Sequence, residues 1–271
     1  MEARIDYQSL SEEMALWIYE HVRNAGAQGV VLGVSGGVDS AVTLLAARKA
    51  FPRDILGLIM PCGNHRDDER LARSLCESYD VPFLFLDLAA VFQPFALLTG
   101  SGKTAPDLTH VEDRKEKLAL ANIKARMRMT LLYAYAQKRN YLVLGTGNKT
   151  EIEIGYFTKY GDGGADLLPL GGLFKREVIT LGRELGAPEE ILKRVPSGGL
   201  WNGQTDEGEI GYTYDELEYG IRMFYGMPLA EERVIPEEPE KVETAVALMI
   251  QKAGHKCLPP PLFSLPGRER G

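Results

Sequence analysis

The sequence predicts an α/β protein built on a doubly wound, mostly parallel five-stranded sheet with helices on both faces. Two observations carry that expectation. Short apolar runs alternate with stretches of helical periodicity through the first 150 residues, the order that buries a parallel sheet on both sides. The run at 30–32 passes through a Gly/Ser turn into an apolar helix, the unit from which such sheets are wound. With 45% hydrophobic and 25% charged residues, 271 residues suffice for one large domain with an ample core.

The elements follow in order. Residues 7–24 read as an amphipathic helix. Four strands can be placed, at 29–34, 54–60, 82–88 and 141–146, and helices at 40–50, 67–79 and 113–138 connect them. After residue 150 the texture changes to Gly and charge, too irregular for a core element and too apolar for disorder. A helix at 175–186 ends on Gly186 with Pro188 just beyond. Residues 196–212 form another Gly-rich loop. A last helix, 237–253, ends at Gly254, after which the prolines of HKCLPPPLF forbid continuation. There is no internal repeat, so 1–271 reads as a single domain with long functional loops. Ligands of such sheets sit beyond the carboxyl ends of the strands, here 33–40, 61–66 and 145–151.

Composition narrows the function. A net charge of −7 argues against a general nucleic-acid surface but leaves room for a local basic pocket. The amino terminus carries acids where a signal peptide needs basic and then apolar residues. No apolar run reaches the length of a membrane span, and a cytoplasmic protein is expected. Cys62, Cys76 and Cys257 are scattered and form no CxxC pair, which reads as reduced thiols. His255 and Cys257 are two ligands at most, too few for a metal site.

The segment VVLGVSGGVDSAVTLL, residues 30–45, looks like a phosphate loop without the Walker lysine. Its strand–turn–helix order aims backbone amides and a helix N-terminus at an anion. Ser35, Gly36, Gly37 and Ser40 can meet a phosphate or pyrophosphate, and Asp39 can hold a Mg²⁺ ion bridging its oxygens. The bland alternative is a tight turn with a capping serine. A second stretch, TGSGKTAP at 99–106, fails as a Walker A loop: Leu97 stands where the first glycine belongs, and Pro106 blocks the helix. It reads as a mobile surface loop.

SGGVDS resembles the signature of the ATP pyrophosphatases, which cleave ATP between the α- and β-phosphates. The resemblance implies a Rossmann-type sheet of the adenine-nucleotide-hydrolase kind. Longer segments resemble one branch, the NAD synthetases: IKARMRM at 123–129, GTGNKTEIEIGYFTKYGDGGADLLPLGGLFK at 145–175, PSGGLWNGQTDEGEIGYTYDEL at 196–217 and HKCLPPP at 255–261. They cover most of the chain in order. The implied reaction adenylates the nicotinate carboxylate of deamido-NAD with ATP, and ammonia then displaces AMP to give NAD. Mg²⁺ is the implied cofactor and a homodimer the implied assembly. The amidase domain of glutamine-dependent relatives is not expected in this chain.

The resemblance also implies residue roles. Gly33, Val34, Ser35, Gly36, Gly37, Val38, Asp39 and Ser40 would form the ATP loop, with Thr146, Lys175 and Ser197 as further ATP contacts. Asp39 and Glu151 would hold Mg²⁺. Asp39 and Lys175 would be catalytic, Lys175 neutralising charge on the α-phosphate; a lysine at a helix start is poor for the helix dipole, which favours function over stability. Arg126, Lys159, Asp166, His255 and Lys256 would bind deamido-NAD. Arg126 lies off the apolar stripe of its helix, and with Lys124 and Arg128 nearby a solvated face is the alternative. His255 and Lys256 fall just past a helix C-terminus, where cations are favourable anyway.

Rival readings remain. GMP synthetase also carries SGGVDS and would adenylate xanthosine monophosphate, but gives no reason for FTKYGDGGADLLPL. A tRNA-thiolating enzyme would want sulfur-handling cysteines and a basic RNA surface. An ATP sensor would need the loop but not Asp39, Glu151 and Lys175 together.

Overall fold

In the computed structural model, residues 5–63, 66–100, 107–201, 203–229 and 235–263 are described. Helix α1 (Tyr7–Asn24) is capped by Asp6, whose carboxylate accepts the amides of Gln8 and Ser9. Strand β1 (Gly29–Gly33) turns into helix α2 (Val38–Ala50). Strand β2 (Ile55–Ile59), helix α3 (Arg66–Ser78) and the short strand β3 (Phe83–Phe85) repeat the unit. Helices α4 (Ala89–Leu98) and α5 (Arg114–Arg139) precede strand β4 (Tyr141–Leu144). Six helices follow among the described residues: α6 (Lys149–Ile154), α7 (Lys175–Glu184), α8 (Glu189–Leu192), α9 (Asp206–Ile210), α10 (Tyr214–Phe224) and α11 (Pro239–Cys257).

The sheet runs β3-β2-β1-β4, all parallel. The strand order therefore reverses beside β1, and the crevice for a ligand opens beyond the ends of β1 and β4. Side chains alternate between two cores, as a strand's two-residue period requires. Val30 and Leu32 of β1 join α1, α2 and α7 on one face, while Val31, Leu56 and Leu58 join α4 and α5 on the other. A third cluster, with Leu217 and Ile221 of α10 and Val242 and Val246 of α11, packs around Ile154 and Phe174. Gly220 permits this close approach, because a Cβ there would lie 2.6 Å from Val246.

Several expectations need correction. The described sheet has four strands, not five. The missing strand survives as one bridge, Leu144 to Leu167, with Gly145 N donating to Leu167 O at 2.8 Å. It extends no further because the Asp166 carboxylate takes the Val143 amide at 2.8 Å and Pro169 has no N–H to give. The 82–88 strand shortens to Phe83–Phe85, although Leu86 N and Leu88 N still donate to Ile59 O and Pro61 O, and it is followed by α4, a helix the periodicity did not disclose. The last helix runs through Gly254 to Cys257. Gly254 does not take the left-handed conformation that ends helices; the chain leaves the helix only at Leu258, which is extended ahead of Pro259. His255 and Lys256 thus lie in the last turn rather than beyond it. The irregular segments after residue 150 contain α6 and α9. Residues 101–106 of the false Walker stretch lie outside the described residues.

Among the described residues no helix is long and apolar enough to cross a membrane. Cys62 and Cys76 are buried free thiols and Cys257 is exposed and free.

Candidate active site

The turn after β1 is tied together by its own polar groups. Val34 N donates to Leu58 O at 2.9 Å, holding the turn to β2. Ser35 N donates to Ser40 Oγ at 3.2 Å, and the two hydroxyls are 3.0 Å apart. Ser40 Oγ donates to Gly37 O, and Gly37 N donates to Ser35 Oγ. Gly36 has φ +82°, and a Cβ on it would sit 2.5 Å from the Asp68 carbonyl oxygen, so only glycine fits. Gly37 is the N-cap of α2 and offers no side-chain cap. The amides of the first turn of α2 are therefore left for an anion.

Asp39 stands in that first turn and pairs with Lys175, the first residue of α7. The Lys175 side chain is 4% exposed, and its Nζ also lies 3.8 Å from Glu151 Oε1. Asn148, fully buried at the N-cap of α6, donates from Nδ2 to Asp39 Oδ1 at 3.1 Å and accepts the Glu151 amide on Oδ1. Glu151 completes the capping box with one oxygen on Asn148 N. Its other oxygen accepts from Tyr214 Oη at 3.0 Å. The same phenol lies 2.9 Å from Asp206 Oδ2, and Tyr156 Oη approaches both Asp206 and Glu209. Thus β1, α2, α6, α7 and α10 converge on one lysine between two carboxylates.

The electrostatics follow from burial. Desolvation, then the nearby Asp39 charge, push the Glu151 carboxyl up to about 8 against the pull of Lys175. Burial likewise raises Asp206, and it raises the Tyr214 phenol with help from the Glu151 and Asp206 charges. For Lys175 burial acts downward, but Asp39 and Glu151 outweigh it and hold the ammonium above its ordinary value.

Asp39 and Glu151 offer hard carboxylate oxygens to one cation between them, a donor set that suits Mg²⁺. Among the described residues no group of three or more Asp, Glu, His or Cys side chains is arranged around a metal. Two protein carboxylates are what Mg²⁺ uses when phosphate and water fill its remaining positions.

Four of the residues implied for the dinucleotide gather at the far end of α6. Arg126, exposed on α5, reaches the Lys159 carbonyl from Nε and Nη2 at 3.4 and 3.3 Å. Lys159 Nζ donates to the His255 carbonyl, while the His255 side chain is exposed. Lys256 Nζ donates to Gly155 O at 2.6 Å and Phe157 O at 2.8 Å. Glu151 and the Lys256 contact therefore mark opposite ends of a six-residue helix, about 9 Å long. Asp166 is turned elsewhere, accepting from Tyr133 Oη at 3.1 Å and from Val143 N. Thr146 lies half-buried beyond β4. Ser197 is exposed, with its hydroxyl accepting Gly199 N. Its segment reaches the site through Asp206 N, which donates to Pro196 O at 3.0 Å, and through Arg194, which pairs with Asp68 beside Gly36.

The sequence reading missed Asn148, Tyr214, Asp206 and Arg194. The N-cap spacing from Asn148 to Glu151 is a signal that could have flagged the first; the other three are recruited by folding alone. Lys124, named only as a neighbour in the solvated-face alternative for Arg126, is fully buried.

Residues 10–260 match the family described as NAD synthase. An NH₃-dependent NAD⁺ synthetase from Carboxydothermus hydrogenoformans is 48% identical over 216 residues, 80% of this chain and 86% of the relative. One from Syntrophomonas wolfei is 44% identical, covering 92% of this chain and 93% of its own. Among solved structures, an NMN synthetase from Francisella tularensis superimposes with a TM-score of 0.80 at 33% identity, covering 97% of this chain and 100% of that one.

Proposed function

We infer the reaction from a premise the preceding matches supply: this chain belongs to the NAD synthase family. It is a ligase of NAD biosynthesis that converts deamido-NAD, ATP and ammonia to NAD, AMP and pyrophosphate through an acyl adenylate. The rival reading as a GMP synthetase acting on xanthosine monophosphate finds no support in these relatives.

The observation that carries our assignment of the chemistry to residues is Lys175, buried between Asp39 and Glu151 at the N-terminal turn of α2. In the first half-reaction the nicotinate carboxylate oxygen attacks the α-phosphorus of ATP, and the bond to the β-phosphate oxygen breaks. The open amides of α2 and the hydroxyls of Ser35 and Ser40 receive the departing pyrophosphate, with Gly33, Val34, Gly36, Gly37 and Val38 supplying close backbone approach. Lys175 donates to the α-phosphate as charge accumulates there, an interaction worth several kcal/mol in a dry site. Asp39 and Glu151 hold Mg²⁺, which when bound supplies charge neutralisation on phosphate oxygens. Thr146 and Ser197 offer hydroxyls to the nucleotide. Arg126, Lys159, His255 and Lys256 hold the dinucleotide, with Asp166 positioning the segment beside β4. In the second half-reaction ammonia attacks the carbonyl carbon, AMP leaves, and one proton is released as the amide forms.

A homodimer and a cytoplasmic location belong to the same reading. The dimer rests on the family resemblance and is tested by light scattering of the purified chain. The location is supported by buried thiols that form no disulfide among the described residues.

The likeness to an NMN synthetase favours a second reading in which a mononucleotide carboxylate is the acceptor. One experiment separates them. The purified chain is given ATP, Mg²⁺ and ammonium with either deamido-NAD or its mononucleotide counterpart, and amide product, AMP and pyrophosphate are quantified. Equal yields of NAD, AMP and pyrophosphate, with glutamine unable to replace ammonium, support the first reading. Turnover of the mononucleotide alone replaces it with the second.

A further inference from the structure

Lysine is almost never fully buried without a partner carboxylate, yet Lys124, at the inner face of α5, is 0% exposed. Among the described residues no carboxylate lies within ion-pair distance of it. Its Nζ instead donates to the Leu200 carbonyl at 2.6 Å and lies 5.5 Å from the centre of the Phe92 ring. Leu200 is in the segment that follows Arg194 and carries Ser197. Gly199 and Gly203, both with positive φ, flank Leu200 and Trp201.

This segment is fastened at two places. At its base Asp206 N donates to Pro196 O, and the Asp206 carboxylate lies 2.9 Å from Tyr214 Oη, the phenol that also meets Glu151. At its tip the Leu200 and Trp201 side chains pack on the core beneath α5. Lys124 holds the Leu200 carbonyl, and Lys117 lies 4.7 Å from the Trp201 ring centre. Gln204 braces the interior, accepting Leu200 N and donating to Glu209. The base therefore touches the site, and the tip is anchored some distance away on α5.

We propose that Lys124 is a positioning residue for ATP: by holding the Leu200 carbonyl from inside the protein, it keeps residues 196–201 against the Asp39–Glu151–Lys175 site. The proposal rests on the reading of that site as the ATP site. Fold stability gives no reason for a charge here. Burial pulls the Lys124 ammonium down to about 8; the Arg128 charge acts the same way, while Cys62 and Asp107 oppose it. A folded value below the unfolded one means that the charge opposes folding throughout the range below pH about 8, where both states are protonated. An apolar side chain of the same length removes that charge penalty, which offsets the bond lost at the Leu200 carbonyl. What it could not do is hold a backbone carbonyl of a Gly-flanked segment in one place.

The test is Lys124→Met, read by three measurements on the full chain. Thermal melting should be equal to or above that of the parent chain. Chymotrypsin should cut after Trp201 faster, by about tenfold for loss of one charged hydrogen bond, and ATP should slow the cut. The ATP dissociation constant, measured without the other substrates, should rise about tenfold while that of deamido-NAD changes little. Unchanged cleavage and ATP affinity overturn the proposal. So does equal weakening of both ligands with a lowered melting temperature, which marks a structural residue. If Lys124→Met does not fold, Lys124→Gln is read the same way, and failure of both to fold also overturns it. Because cleavage and ATP binding are read without turnover, a chain that makes no NAD refutes the proposed reaction and leaves this inference standing or falling separately.

Discussion

Replacing Lys175 with methionine leaves Asp39 and Glu151 facing each other with no cation between them. Breaking a buried ion pair by removing one member costs about 3–5 kcal/mol, which for a chain of this size lowers melting by on the order of 10 °C. The loss should depend on pH with a definite sign. Glu151 already titrates at about 8 in the folded protein, above its ordinary value of 4.5. Between those limits the folded state binds the extra proton, so the contribution of Glu151 to stability falls as pH rises through the window. Lys175 is the charge that restrains this rise. Without it the Glu151 carboxyl moves further up, so the deficit of the variant should stay level from pH ~5 to about 8, where both folded proteins carry the proton, and grow above that toward pH ~9 by up to about 1.4 kcal/mol per unit. Mg²⁺ should restore more melting temperature to the variant than to the parent, because a dication replaces the missing ammonium between the carboxylates. Turnover should fall by about 10²–10³-fold in kcat/KM, the cost of losing one donor to developing charge. Melting curves across that pH range, with and without Mg²⁺, check the reasoning. A deficit that is flat with pH, together with near-parental turnover, would refute it.

Asp39→Asn should cost at least about 10²-fold in turnover, comparable to losing a donor to developing charge, with the fold retained. Its new amide must meet either Lys175 or the Asn148 amide, donor against donor; full activity would remove Asp39 from the metal and phosphate machinery. Gly36→Ala should abolish ATP binding, since its Cβ meets the Asp68 carbonyl and its φ suits only glycine, and isothermal titration with ATP reads this directly. Lys256→Ala should raise the KM for deamido-NAD by about tenfold or more, one lost charge-assisted contact. The KM for ATP should hardly move, and equal effects on both would argue against the dinucleotide assignment.

The legible part of this protein was whatever depends on neighbours in sequence. The β1–α2 turn could be read because a strand, two glycines and a helix start within a dozen residues dictate their own geometry. Lys175 stood out because a cation at a helix N-terminus opposes the dipole. A boundary was read less well where a side chain intervenes: Asp166 intercepted the ladder bond on which a fifth strand depends. Gly254 looked like a stop, but a glycine ends a helix only when its backbone turns left-handed, and this one does not.

By itself the sequence determined the α/β winding, the phosphate-type loop and the family resemblance, all of which reside in local pattern and order. Only the tertiary structure decided which charges meet. Asp39 and Lys175 are separated by 136 residues and Lys124 from Leu200 by 76, and no periodicity encodes such a pairing. Burial decided the rest: the same carboxyl or amine titrates normally in water and far from it when desolvated beside another charge. That surrounding is what moves Glu151 up to about 8 and gives Lys124, two residues from the exposed Arg126, an interior place.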